Sequence, residues 1–171
     1  MHSALIGIHI SREGNMLNFF KRNETIYSPC SGLFKTIDEV NDELFASKKM
    51  GDGFAVVPSD TEIYSPITGV ITMLAPSKHA IGIESKNGTE IMIHMGIDTV
   101  ELNGTPFNIK IKKGDKVKRG QLLANFDYKQ AKDAGKETDV IVIILNNKNI
   151  DLDQTSMSQV NSQTEIGYLP K

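Results

Sequence analysis

Apolar positions in this chain fall in short runs with a period near two, broken at close intervals by glycine, proline, asparagine or aspartate, a pattern that predicts strands. Residues 33–37 and 70–73 are β-prone runs that follow Gly32 and Gly69. Residues 79–86 and 89–94 flank Asn87-Gly88. Residues 109–126 alternate strand residues with turns at Gly114-Asp115 and Gly120. Residues 140–145 are a continuous, largely β-branched apolar run, as expected of a buried strand. Residues 151–163, rich in Asp, Gln, Ser and Asn, read as a flexible loop before a last strand over 166–169. Helix is limited to a turn or two at 42–47 and 129–136. The expected fold is all-β, an antiparallel β-sandwich or barrel-like domain with only short helical turns.

A repeat runs through this pattern. Ile26-Tyr27-Ser28-Pro29-Cys30-Ser31-Gly32 returns as Ile63-Tyr64-Ser65-Pro66-Ile67-Thr68-Gly69. Each copy carries Ile-Tyr-Ser-Pro, one variable residue, a hydroxyl residue and glycine, followed by a β-prone run. Proline and glycine at those places mark the start of a strand and a turn or bulge before the next one. An internally duplicated β motif is implied.

The Asn87-Gly88 pair is the strongest short-range hairpin signal in the chain, and His79 and His94 stand on its two sides. With Asn87 and Gly88 as the central residues of a type I′ turn, Lys86 pairs with Thr89 and Ile81 faces His94. His79 shares a face with Ile81, so the two imidazoles become diagonal neighbours with backbones roughly 7–8 Å apart. A three-residue loop reverses this expectation. It sends one histidine to the opposite face.

The chain has 171 residues, 39% of them hydrophobic and 23% charged, which is ordinary for one globular domain. A net charge of −2, with no basic cluster interleaved with aromatics, argues against a nucleic-acid partner and for a small molecule or a protein. Cys30 is the only cysteine, so no internal disulfide forms; it reads as a small buried apolar residue in a reducing, cytoplasmic compartment. No run approaches the roughly 18 apolar residues of a transmembrane segment. The first ten residues lack the basic start of a secretory signal. Met16-Leu-Asn-Phe-Phe-Lys-Arg looks like a second beginning of the chain, so residues 1–15 read as an upstream extension and 1–23 as a flexible extension ahead of a domain over 24–171. Leu17, Phe19 and Phe20 beside Lys21 and Arg22 suit a short membrane-surface anchor. Walker and dinucleotide glycine patterns are absent.

Three segments, Met50-Gly-Asp-Gly-Phe-Ala, Lys78-His-Ala-Ile-Gly-Ile-Glu-Ser and Ile93-His-Met-Gly-Ile-Asp-Thr-Val-Glu-Leu, together closely resemble the glucose-type enzyme IIA family of the bacterial phosphoenolpyruvate-dependent sugar phosphotransferase system. The resemblance runs from about Thr25 to about Asp127 and more loosely to the C-terminus. It implies that His94 accepts a phosphoryl group from the histidine-containing phosphocarrier protein and passes it to a cysteine of a sugar-specific IIB domain of a membrane permease. His79 would steady the phosphate. Imidazole chemistry agrees, since a ring with a pKa of about 6.5 has a free nucleophilic nitrogen at neutral pH and leaves readily when phosphorylated. Ser77 stands where the family has a threonine of the same hydrogen-bond network. Asp98 and Asp42 match acidic rim positions that meet basic carrier side chains, and Phe45, Met50 and Met92 would belong to the apolar docking face. Ala75 and Met92 depart from the family, which commonly has aromatic residues there, and this leaves the choice of partner open. No cofactor is implied.

Two other readings stand beside this one. His79, His94 and a carboxylate, Asp98 or Asp52, could make three ligands of a zinc site or zinc-dependent hydrolase, although no His-Glu-x-x-His sequence is present. A purely regulatory module, whose phosphorylated and unphosphorylated faces select different protein targets, is the other.

Overall fold

A computed structural model of the chain describes residues 24–146, 149–153 and 158–169. The expected N-terminal extension, the start at Met16 and the anchor of Leu17, Phe19 and Phe20 lie outside the described residues. In chain order the first strands are β1 (Glu24–Tyr27), β2 (Gly32–Thr36), β3 (Gly53–Pro58), β4 (Glu62–Tyr64), β5 (Gly69–Leu74), β6 (Ala80–Ser85) and β7 (Glu90–Ile97). They are followed by β8 (Phe107–Ile109), β9 (Lys116–Val117), β10 (Leu122–Phe126), β11 (Glu137–Ile144), β12 (Asp151–Leu152), β13 (Gln159–Val160) and β14 (Glu165–Leu169). Two short helices, α1 (Glu43–Ala46) and α2 (Tyr128–Asp133), fall where the sequence predicts helical turns. Residues 151–163, expected as a loop, contribute the two-residue strands β12 and β13 instead, because their backbones add to strands already in place, β14 and β2.

An eight-stranded sheet runs in the order β13-β2-β3-β11-β7-β6-β5-β9, and two three-stranded sheets run β1-β14-β12 and β4-β10-β8. Every pairing is antiparallel. The duplicated motif forms the seam between them. Tyr27 N–H donates to Pro66 O at 3.1 Å, and at the matching position Tyr64 N–H donates to Pro29 O at 2.7 Å. Within each copy the buried serine hydroxyl closes a turn, Ser28 Oγ onto Cys30 O at 2.7 Å and Ser65 Oγ onto Ile67 O at 2.6 Å. The repeat is therefore a pair of interlocked corners, each satisfying the backbone of the other.

The large sheet is apolar on both faces. Phe54, Val56, Ile81, Ile83, Ile91, Ile93, Met95, Val140, Val142 and Ile144 enter the main core between the sheets. Their alternate neighbours Ala55, Ala80, Met92, Ile141 and Ile143 form a second cluster on the other face, with Ile37, Val40, Phe45 and Ile97. The continuous apolar run of β11 follows from this, since its side chains are covered whichever way they point. Cys30 is buried as expected, and burial pushes its thiol pKa up, away from reactivity.

The hairpin between β6 and β7 differs from the expected register. Ser85 N–H donates to Thr89 O at 2.9 Å and Gly88 N–H to Ser85 O at 3.0 Å, so the loop is Lys86-Asn87-Gly88, three residues long. Asn87 is not among the residues of positive φ, whereas Gly88 has φ 76°, which excludes a type I′ turn and fits a tight turn closed by a left-handed glycine. Ala80, rather than Ile81, stands opposite His94.

Candidate functional site

Cross-strand pairing places His94 in one row on the second face of the large sheet, Lys35 opposite Ala55, Ala55 opposite Ile141, Ile141 opposite His94 and His94 opposite Ala80. Strict alternation across the three-residue loop would put His79 on the other face. It does not reach that far. His79 stands one residue before β6, directly after Lys78 with φ 60°, and leaves the turn with its ring over the second face. Its backbone still pairs, Met95 N–H donating to His79 O at 2.8 Å. The two imidazoles meet edge to face with centroids 5.0 Å apart. The expected juxtaposition is thus found, through a different register from the expected one.

His94 is oriented by its own strand end. Gly96, with φ 77°, turns its carbonyl back, and His94 Nδ1 lies 2.7 Å from Gly96 O. A carbonyl only accepts, so Nδ1 carries the proton and Nε2 keeps a free lone pair. Phe45 braces the ring from the other side with centroids 5.1 Å apart. Its helix is held by Asp42, whose Oδ1 accepts from Leu44 N–H at 2.9 Å and Phe45 N–H at 3.3 Å. His79 Nδ1 is buried with no hydrogen-bond partner among the described residues. A proton there would be an orphaned buried donor, so the favoured neutral tautomer carries it on Nε2.

Burial lowers the pKa of His94; the Gly96 carbonyl opposes this, neighbouring His79 adds to it, and Asp42 and Asp98 oppose it more weakly. Burial also lowers the pKa of His79. Both shifts favour the uncharged rings at neutral pH, which leaves a lone pair on His94 Nε2 and an N–H on His79 Nε2.

A depression of about 390 Å³ holds both histidines with Asp42, Phe45, Met50, Met92 and Asp98 from the sequence-predicted set. Ser77 is half-buried in the turn before His79 but does not line the depression, and its hydroxyl makes no hydrogen bond among the described residues. Sequence reasoning missed Leu44, Met73, Ala80, Ile97 and Val100, which complete the wall, and the orienting carbonyl of Gly96. A carbonyl leaves no trace in residue type. The spacing His94-Met-Gly96 was the available signal. Asp52 is occupied elsewhere, accepting from Lys48 Nζ at 3.0 Å, Gly53 N–H at 3.0 Å and Ile150 N–H at 3.1 Å. Among the described residues no three or more His, Cys, Asp or Glu side chains are placed to hold a metal ion. The zinc reading finds no third ligand among the described residues.

Residues 24–150 match the family model described as phosphoenolpyruvate-dependent sugar phosphotransferase system, EIIA 1. The chain belongs to this family. As an EIIA chain it is 38% identical over 144 residues to the glucose-specific EIIA component of Halalkalibacterium halodurans, covering 84% of this chain and 80% of that protein. It is 45% identical over 144 residues to the beta-glucoside-specific EIIBCA component of Bacillus subtilis, covering 84% of this chain and 22% of that one. The solved structure of glucose permease IIA from Mycoplasma capricolum superposes with a TM-score of 0.79 at 35% identity, over 87% of this EIIA chain and 97% of that chain. The chain spans only about a fifth of the length of its multidomain EIICBA and EIIBCA relatives. Among the described residues no helix is long and apolar enough to cross a membrane.

Proposed function

We propose that this EIIA chain is a cytoplasmic phosphocarrier that takes a phosphoryl group on His94 Nε2 from the phosphohistidine of a carrier protein and gives it to a cysteine of a sugar-specific IIB domain. Residues 24–171 form the domain that does this. The observation that carries the reading is the pairing of His94, its Nδ1 proton directed onto Gly96 O at 2.7 Å, with a second neutral imidazole 5.0 Å away.

In the forward step the Nε2 lone pair of His94 attacks phosphorus, a P–N bond forms, and the P–N bond to the donor imidazole breaks. That imidazole leaves with the electron pair. In the second step a cysteine thiolate attacks the same phosphorus, a P–S bond forms, and His94 recovers its lone pair. Through both steps Gly96 O holds Nδ1–H, so the ring need not rotate or change tautomer. His79 Nε2–H donates to a phosphoryl oxygen, which brings about −1.5 to −2 charges into a half-buried site. The charge on the phosphoryl oxygen makes this a charge-assisted hydrogen bond, stronger than one between neutral groups. Asp42 and Asp98 at the rim steer a basic partner and fix its register, while Leu44 and Val100, both exposed, offer it apolar contact.

Incubation with phosphoenolpyruvate, the first enzyme of the system and its carrier protein tests this. His94→Ala should take no label, and His79→Gln should take label but pass it on slowly. Equal labelling of the His94 variant would refute the assignment.

A further inference from the structure

Three methionines stand beside the histidines. Met73 in β5 faces Gly82, and Gly82 faces Met92 in β7, so two long thioether side chains flank a strand position that has none. A Cβ at Gly82 would lie 2.9 Å from Met73 Cβ, so the side chain of Met73 occupies the space beside the glycine. Met50, from the segment after α1, joins them in the wall of the same depression. Met50 and Met73 are half-buried, Met92 is 8% exposed, and Met95, which points into the core, is fully covered.

We infer that Met50 and Met73 are an oxidation site for peroxides, and that their sulfoxides switch off partner docking while leaving the chemistry of His94 intact; this rests on the phosphocarrier reading. The thioether sulfur attacks one peroxide oxygen, the O–O bond breaks, an S–O bond forms, and water or an alcohol leaves. Sulfur is oxidised by two electrons and the peroxide is reduced by two. Each sulfoxide places a strong, polar acceptor in a depression whose side chains apart from the two histidines and two aspartates, such as Ala75 and Ile97, are apolar and offer it no donor. Docking a partner then removes water from that oxygen without replacing its hydrogen bond. Nε2 of His94 lies outside this change, because its orientation comes from Gly96 O and the ring of Phe45.

The test treats the full chain with hydrogen peroxide, maps sulfoxides by mass spectrometry, and compares two phosphoryl donors, the carrier protein and the small molecule phosphoramidate. Met50 and Met73 should oxidise before Met95. Labelling by the carrier should then fall about tenfold while labelling by phosphoramidate stays within about twofold. Methionine sulfoxide reductases should restore the rate, and the Met50→Leu/Met73→Leu variant should resist the treatment. Carrier labelling indifferent to complete sulfoxide at both positions overturns the inference, as does a parallel loss with phosphoramidate. Failure of the carrier to label untreated protein overturns instead the functional reading beneath it.

Discussion

Gly96→Ala separates the two things Gly96 does, adopting a left-handed backbone and letting the strand end approach its neighbours. A Cβ at this position would stand 2.4 Å from Thr99 Cγ2 and 2.9 Å from Glu137 O, with φ at 77°. The left-handed conformation alone costs a non-glycine residue roughly 1–2 kcal/mol. Overlap with a covered side chain and a backbone oxygen adds about 1–3 kcal/mol, since the buried Thr99 is itself tied to Met95 O at 2.6 Å. A total near 3 kcal/mol moves a urea midpoint down by about 1.5 M if the slope is about 2 kcal/mol/M. Any backbone shift that relieves the overlap also moves Gly96 O away from His94 Nδ1. Losing that hydrogen bond, worth about 1 kcal/mol, should slow phosphoryl acceptance roughly fivefold once the tautomer is no longer held. Gly88→Ala is the control, with a similar φ of 76° and nothing within 4 Å. It should lose only about 1 kcal/mol and label at the normal rate. Equal losses of stability would refute the close-approach cost at Gly96, and normal labelling of Gly96→Ala would refute the orienting role of its carbonyl.

Asp42→Ala removes the cap of α1 and should cost about 1 kcal/mol in denaturant unfolding, with Asp42→Asn recovering most of it, since the amide oxygen still accepts from Leu44 N–H. Both imidazoles have folded-state pKa values below 6.5, so between those values and 6.5 the unfolded chain binds more protons. Stability attributable to them is therefore complete above about pH 6.5 and is lost as pH falls below it, and unfolding of His79→Gln should show a shallower loss over that window. Labelling of His94 should persist to lower pH than a solvent-exposed histidine would allow, because burial keeps Nε2 unprotonated; a rate that halves at or above pH 6.5 would contradict this.

Much of the site was legible because its parts are local. The motifs around His94 and His79 sit in short segments whose residue types and order carry the resemblance, and the resemblance also marked Asp42 as a rim carboxylate and Phe45 as part of the apolar face, although not Asp42 as the cap of α1. The wall built by Met73, Ala80 and Ile97 was not, since it depends on which strands pair and in what register. The hairpin shows how this fails. Asn-Gly favours a two-residue turn, yet the chain closes three residues through Gly88 alone, and every cross-strand partner shifts by one. His79 escaped the consequence only because Lys78 breaks the pleat before it. The strands β12 and β13 were read as loop for a related reason. Two-residue strands in polar sequence have no periodicity to detect, and β13 adds to β2, whose residues lie far away in the chain.

If Gly96 O holds Nδ1–H of His94, Nε2 is the nitrogen that receives the phosphoryl group. Nitrogen-15 and phosphorus-31 NMR of the labelled chain measures this directly, through the one-bond coupling between phosphorus and a ring nitrogen. The expected result is a single phosphohistidine at His94 with phosphorus on Nε2 and a proton on Nδ1. Phosphorus on Nδ1, or on His79, would contradict it.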